Sequence, residues 1–337
     1  MKERLDRFMA RANATYYATH NPYADFTTAP EISQGFGEVL GLWAAIVWQA
    51  MGRPDPVILA EAGPGRGTLM ADALRAVGRV APEFAAALRL HLVESSPELR
   101  ALQAVRLPQA TWHDRVDALP PGPMILLANE FLDALPIRQF VRHGRGWSER
   151  YVAESRLVEA PVPAAEQALP GLEAPEGAVV EVCEEARAVA RQLAARFAAP
   201  SGGAALFVDY GPAARAPGDS LQALREGQFA DPLADPGEAD LTAHVDFAAL
   251  AEAAHAAGAQ ALGPVAQGVF LARLGLPQRM EKLAAGQSPA QAAALLAGVR
   301  RLTEPHAMGR LFKALALCAP GLPVLPGFAA ESDDHAR

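Results

Sequence analysis

This chain places acids where its apolar runs stop. Val57 to Ala60 leads into Glu61, His91 to Val93 into Glu94, Met124 to Ala128 into Asn129 and Glu130, and Ala204 to Val208 into Asp209. The short run at Trp112 and His113 ends in Asp114. Apolar strands need no polar terminus, so such a row suggests groups held ready to accept hydrogen bonds from a ligand at one edge of a sheet. Beyond Glu61 come Gly63, Pro64, Gly65, Arg66, Gly67 and Thr68. Four Gly or Pro residues in five positions is a costly way to make a plain turn. Glycines let backbone approach a ligand, and the helix start that follows offers free N–H groups, so a cofactor cradle is expected. A nicotinamide fingerprint would need a small residue where Thr68 stands, and a phosphate loop would need Lys where Gly67 stands. What remains is an acid followed by alternating glycines, Glu61-x-Gly63-x-Gly65-x-Gly67.

The other acids divide by position. Glu94 lies 27 residues beyond Gly67, a suitable place for a carboxylate that accepts both hydroxyls of a ribose. Asp114 could accept from an adenine amino group or could cap a helix, and the residues alone leave both open. Glu130 and Asp133 are three apart, so on a helical turn they would point to one side and suit a guanidinium through paired charge-assisted hydrogen bonds. A helix over 131–139 capped by Asp133 is the alternative for that residue. Asp209 is held in reserve as a third catalytic acid. His20, His113 and His244 are isolated, Cys183 and Cys318 are far apart, and no metal-ligand spacing is present, so no metal is expected. No G-x-S-x-G elbow occurs.

Positioning these groups calls for alternating strands and helices. Strands are expected at 57–62, 89–94, 110–112, 124–129 and 204–209, with a last one at 311–317; the continuous apolar run at 124–129 reads as a strand buried on both faces. The pattern predicts an α/β protein with a doubly wound, mostly parallel sheet carrying helical and β-hairpin insertions. Helices are expected at 1–18, 34–51, 184–197, 247–257 and 289–302, with 21–34 a loop. The chain divides into a helical or lid segment at 1–52, a core at 53–136 and 200–330, and an insertion at 137–199. Within that insertion a hairpin turns at His143-Gly144-Arg145-Gly146.

Composition narrows the partners. Half of the 337 residues are apolar, and the formal charge is −8 with 38 acidic against 30 basic residues. Lys2, Lys282 and Lys313 are the lysines, and no basic cluster interleaves with aromatics, so no nucleic-acid partner is expected. An acidic surface suits a basic peptide better. No apolar run reaches membrane-span length, and the N-terminus resembles neither a secretion signal nor a transit peptide, so a soluble cytoplasmic protein is expected. Oligomeric state is left open.

The acid-and-glycine stretch resembles the first motif of class I S-adenosylmethionine-dependent methyltransferases, whose ligand is an aminoacyl nucleoside without a pyrophosphate. The resemblance becomes specific across the chain: Tyr16-Tyr17, Asp25 to Gln34, Phe36-Gly37-Glu38, Glu61 to Met70, His91 to Pro97, Trp112-His113, Ala128 to Phe140, Val208 to Gly211, Asp231-Pro232-Leu233, Pro236 to Thr242 and Met308 to Lys313. Together they resemble the MidA-like family, which includes the mitochondrial complex I assembly-factor arginine methyltransferases. That likeness implies a seven-stranded methyltransferase sheet, S-adenosyl-L-methionine as cofactor and S-adenosyl-L-homocysteine as product. It places Glu61, Gly63, Gly65, Gly67, Thr68, Glu94, Asp114, Asn129, Thr28, Pro30 and Ser33 around the cofactor, with Glu130, Asp133 and Asp209 catalytic. The implied reaction is symmetric dimethylation of an arginine on a protein substrate, a subunit of respiratory complex I. An alternative is a non-catalytic assembly chaperone that retains the cofactor pocket. Two departures stand out: a shorter, glycine-poor turn before Asp25, and Gly227 where the family tends to have histidine.

Overall fold

In the computed structural model of this chain, residues 2–20, 27–162, 174–200 and 202–329 are described. The turn before Asp25-Phe26 lies outside the described residues. Seven strands build the central sheet: β1 (Val57–Ala62), β2 (Leu88–Val93), β3 (Thr111–His113), β4 (Met124–Asn129), β5 (Gly203–Tyr210), β6 (Gln260–Ala266) and β7 (Phe312–Cys318). Their order across the sheet is β6-β7-β5-β4-β1-β2-β3. β7 runs antiparallel to both of its neighbours, and every other pairing is parallel. The chain winds outward from β1 through β2 to β3, then returns to lay β4 on the opposite side of β1. Connections leaving the carboxyl ends of β1 and β4 therefore diverge, and doubly wound sheets take ligands in that crevice.

Both faces of the sheet are covered, which is why β1, β4 and β5 are buried along their whole length and read as unbroken apolar runs. On one face lie the helices Gln34–Ala50 and Thr68–Val80, burying Phe36, Trp43, Leu69 and Met70. A Cβ on Gly41 would sit 2.7 Å from Ala73 Cα, so these two helices meet backbone to backbone. On the other face, Glu184–Phe197 and Phe247–Ala256 bury Leu193, Phe197, Phe247 and Leu250. Each such aromatic or leucine contributes roughly 1.5–3 kcal/mol through burial.

Beside the crevice stands a smaller, antiparallel assembly. The hairpin expected at 137–153 is Arg138–His143 with Gly146–Ala153, and Gly144 takes a φ of +54° in its turn. It belongs to a five-stranded sheet completed by Glu3–Arg4, Arg156–Pro161 and Val179–Val182. Helix Leu5–Thr19 packs Leu5, Phe8 and Met9 against Ile137, Val152 and Leu241. Leu241 belongs to a three-stranded sheet of Gln222–Arg225, Gln228–Ala230 and Asp240–Thr242. The expected loop at 21–34 contains a one-turn helix, Ala29–Ile32, with Pro30 in its first turn. No helix among the described residues is long and apolar enough to cross a membrane.

Candidate active site

A cavity of about 450 Å³ opens where β1, β2 and β4 end. Its floor is the glycine-rich turn, with Gly63, Gly65 and Gly67 at φ +66°, +54° and +76°. Gly67 caps helix Thr68–Val80 and donates its N–H to the Pro64 carbonyl at 2.7 Å. It does not line the cavity; Gly63, Gly65 and Thr68 do. A Cβ on Gly63 would meet Phe131 Cδ2 at 3.1 Å, tighter than an ordinary contact, so the turn and the loop after β4 close on each other. Glu61 lies below, 2% exposed. One of its oxygens accepts the Met70 N–H, while Oε2 has no partner among the described residues. Burial pushes this carboxyl up to about 8.

The β2 end supplies Glu94, which the surrounding helix holds in place. Its Oε1 accepts the Ser96 N–H at 2.8 Å and its Oε2 accepts from Gln103 Nε2 at 3.3 Å. Burial raises its pKa, against those hydrogen bonds. Gln103, on helix Pro97–Arg106, is fully buried; it also donates to the Gly65 carbonyl at 2.7 Å and accepts from Trp112 Nε1 at 2.8 Å. This one amide thus ties the glycine turn to Glu94 and β3. Sequence reasoning missed it, because a lone Gln on an otherwise polar helix carries no signal. Asp114 lines the cavity mouth with its side chain 78% exposed and accepts from Arg100 Nη2 at 2.6 Å. The short helix Val116–Ala118 has Arg115 at its cap, so Asp114 does not cap it.

Over the cavity lies the segment with Thr28, Pro30 and Glu31 on its wall. Thr68 Oγ1 donates to Glu31 Oε1 at 2.6 Å and accepts from Arg106 Nη1 at 2.6 Å, and the Ala29 N–H donates to Glu130 Oε1 at 3.1 Å. Ser33 is elsewhere: its hydroxyl caps helix Gln34–Ala50 by accepting the Gly35 N–H at 3.3 Å.

The loop after β4 corrects the expected geometry. No helix forms over 131–139; the chain turns and then enters the strand Arg138–His143. Glu130 sits at φ +51°, its N–H bonded to the Val208 carbonyl at 2.9 Å. Its Oε1 accepts from Asn129 Nδ2 at 3.0 Å as well as from Ala29, and the other oxygen takes no hydrogen bond from a described residue. Asn129 and Glu130 both line the cavity, whereas Asp133 and Asp209 do not. Asp209, 1% exposed, lies behind the turn and holds it: Oδ2 accepts the N–H groups of Phe131, Leu132 and Asp133 at 3.2, 2.9 and 3.3 Å, and Oδ1 that of Tyr210 at 2.9 Å. Burial outweighs those donors and pushes Asp209 up to about 7. Asp133 is buried, hydrogen-bonded by the Tyr210 hydroxyl, and raised by burial and then by the charges of Asp209, Asp240 and Glu130. Burial likewise raises Glu130.

The sheet order, with one antiparallel strand inside its edge, and a glycine cradle at the switch point facing a carboxylate on β2, define a nucleoside-binding, doubly wound methyltransferase fold. Residues 39–265 match the Methyltransf_28 family model of S-adenosyl-L-methionine-dependent methyltransferases. The chain belongs to this family. The protein arginine methyltransferase NDUFAF7 homolog of Drosophila melanogaster is 34% identical over 94% of this chain and 80% of its own length. The Danio rerio protein arginine methyltransferase NDUFAF7 is 36% identical over 86% and 75%. Among solved structures, a Burkholderia thailandensis protein bound to S-adenosyl-homocysteine superposes with a TM-score of 0.78 and 29% identity, over 98% of this chain and 91% of that one. S-adenosyl-L-methionine is the cofactor of the family, and the site fits it: a Cβ on Gly63 would stand 3.1 Å from Phe131, and the buried Glu61 Oε2 at the cavity lacks a partner among the described residues. These curated relatives are labelled mitochondrial, which overturns the expectation of a cytoplasmic protein.

Proposed function

We propose that this chain methylates an arginine side chain of a protein, adding two methyl groups symmetrically, and that the protein is a subunit of respiratory complex I methylated during assembly. The relatives named as protein arginine methyltransferases support the arginine reading. One observation carries it: Glu130, at a cavity built for a nucleoside cofactor, has one oxygen held by two N–H donors, while its other oxygen accepts nothing from the described residues. In this reading Gly63 and Gly65 let the cofactor lie against the backbone, Thr68 anchors the overlying segment through Glu31, Glu94 accepts from the ribose, and Asp114 stands near the adenine. Thr28 and Pro30 close the site from above. Bound S-adenosyl-L-methionine supplies a methyl group on a sulfonium, so its leaving group is already activated.

The chain's own work is then positioning and charge. Holding the guanidinium in line is worth up to roughly 7 kcal/mol of the barrier when geometry is good. Glu130 holds the cation by charge-assisted hydrogen bonds and takes the proton that the attacking nitrogen releases. Burial raises its affinity for that proton. Glu130→Gln is expected to abolish turnover while S-adenosyl-homocysteine affinity, measured by calorimetry, stays within about twofold. Lost cofactor affinity would instead place Glu130 in the cofactor site. Mass spectrometry of complex I subunits from cells with and without this protein tests the substrate: an unchanged arginine methylation pattern would refute it.

A further inference from the structure

Asp133 was the expected partner of Glu130 at the substrate, yet it does not line the cavity, so the second half of the subsite must come from elsewhere. Helix Leu5–Thr19 forms another wall of the same cavity with Ala10, Asn13, Ala14 and Tyr17. Asn13 is spent on fastening the helix: its Nδ2 donates to the carbonyls of Ala134 and Leu241 at 3.0 and 2.8 Å, and its Oδ1 accepts the Leu241 N–H at 3.0 Å. Tyr17 donates its hydroxyl proton to Asp240 Oδ1 at 2.7 Å, which leaves the phenol oxygen an acceptor. We propose that Tyr17, its hydroxyl oriented by Asp240, forms the second half of the guanidinium subsite together with Glu130 and Asn129. The proposal rests on the arginine reading above.

Hydrogen-bond polarity supports it. Asn129 Nδ2 is committed to Glu130 Oε1, while its Oδ1, in a side chain 7% exposed, accepts nothing from the described residues. Glu130 and Tyr17 thus offer acceptors, the one Tyr17 proton being used within the protein, and Asn129 adds a carbonyl oxygen beside an amide that gives one of its two hydrogens to Glu130. A guanidinium, with five N–H donors and no acceptor, matches that wall; a ureido group, which presents a carbonyl, does not. Shape supports it too. The Tyr17 ring is set by an edge contact with the fully buried Tyr16, centroids 5.3 Å apart at 74°. A planar guanidinium can lie against such a ring, whereas an ammonium has no plane to match. Burial first, then the charges of Asp240 and Asp133, hold the phenol proton on well above the usual range, so Tyr17 stays a neutral donor to Asp240.

The test uses the full chain loaded with S-adenosyl-homocysteine, and ligand-observed NMR titrations with N-acetyl-arginine amide, its citrulline counterpart and N-acetyl-lysine amide. The parent is expected to prefer the arginine amide to both. Tyr17→Phe keeps the ring and deletes the oxygen, so it should shrink the arginine-to-citrulline preference by about fivefold or more, with S-adenosyl-homocysteine affinity within about twofold. Tyr17→Leu should shrink it further. An unchanged preference in Tyr17→Phe, or a fall in cofactor affinity instead, would overturn the assignment of Tyr17 alone. A parent that prefers lysine amide, or binds none of the three, would overturn the arginine reading and this subsite with it.

Discussion

Asp209 offers the most discriminating perturbation, because the structure gives it a task that involves no contact with the cavity. Four backbone N–H groups converge on its carboxylate, three of them in buried surroundings. Asp209→Ala leaves all four without an acceptor. At about 1–3 kcal/mol for each donor that water cannot reach, and with partial relaxation of the turn, the loss of stability should be about 3–5 kcal/mol. Asp209→Asn keeps one oxygen, which can serve the 131–133 turn only by presenting its NH2 group to the Tyr210 N–H, so about 1–2 kcal/mol is expected. Urea unfolding reads both values. The functional consequence follows from Glu130, which sits at positive φ at the start of this turn and loses its seat when the turn loosens. Single-turnover methyl transfer by Asp209→Asn should slow by about tenfold to a hundredfold, roughly 1.4–2.7 kcal/mol of barrier, while S-adenosyl-homocysteine binds as before. If Asp209 were itself the proton acceptor, the variant would also lose an inflection near pH 7 from its pH–rate profile, since burial pushes this carboxyl up to about 7. Parent-like stability and rate in Asp209→Asn would refute the anchoring role, whereas loss of that inflection alone would not, because protonating the anchor also loosens the turn.

Gly63→Val should abolish S-adenosyl-homocysteine binding in calorimetry, because φ is +66° there and Phe131 already stands 3.1 Å from a Cβ; retained affinity would dissociate the turn from the cofactor. For Glu61, burial raises the folded pKa to about 8 from an ordinary 4.5, so the stability its protonation confers is complete below about 4.5 and is lost as pH rises through about 8. Glu61→Gln should therefore gain about 4–5 kcal/mol over the parent at pH 8.5 and nothing at pH 4, in urea unfolding of the cofactor-free protein; parallel curves would contradict this.

The elements legible in the sequence are those whose environment is uniform. β1, β4 and β5 are covered on both faces, so their apolar runs needed no periodicity to be found. β6 escaped notice because Gly263 and Pro264 interrupt it, its register shifts between Leu262 and Val265, and it is at best half-buried throughout. The helices Gln267–Arg273 and Leu276–Ala284 escaped for want of length: they have 7 and 9 residues, too few turns for a stripe to show. The glycine turn was readable because positive φ at three alternating positions demands glycine, and Glu94 because its strand ends beside it.

Where the sequence misled, a helical spacing had been assumed for a segment whose conformation is imposed from outside it. Glu130 and Asp133 share a side only if the chain between them is helical. Asp209, 76 to 78 residues further on, sequesters the N–H groups of residues 131–133 and makes that segment a turn instead. Periodicity within the 130s cannot reveal a donor set claimed by a strand so distant. Tyr17 and Asp240 pose the same difficulty at greater range, since 223 residues separate the two ends of their hydrogen bond. Each was visible only as one polar residue in an apolar or loop-like context. The glycine turn at the floor of the cavity is written in contiguous residues, so one short stretch of sequence announces it. The substrate side we propose draws on distant segments, so its chemistry would emerge only when the antiparallel assembly docks beside the sheet.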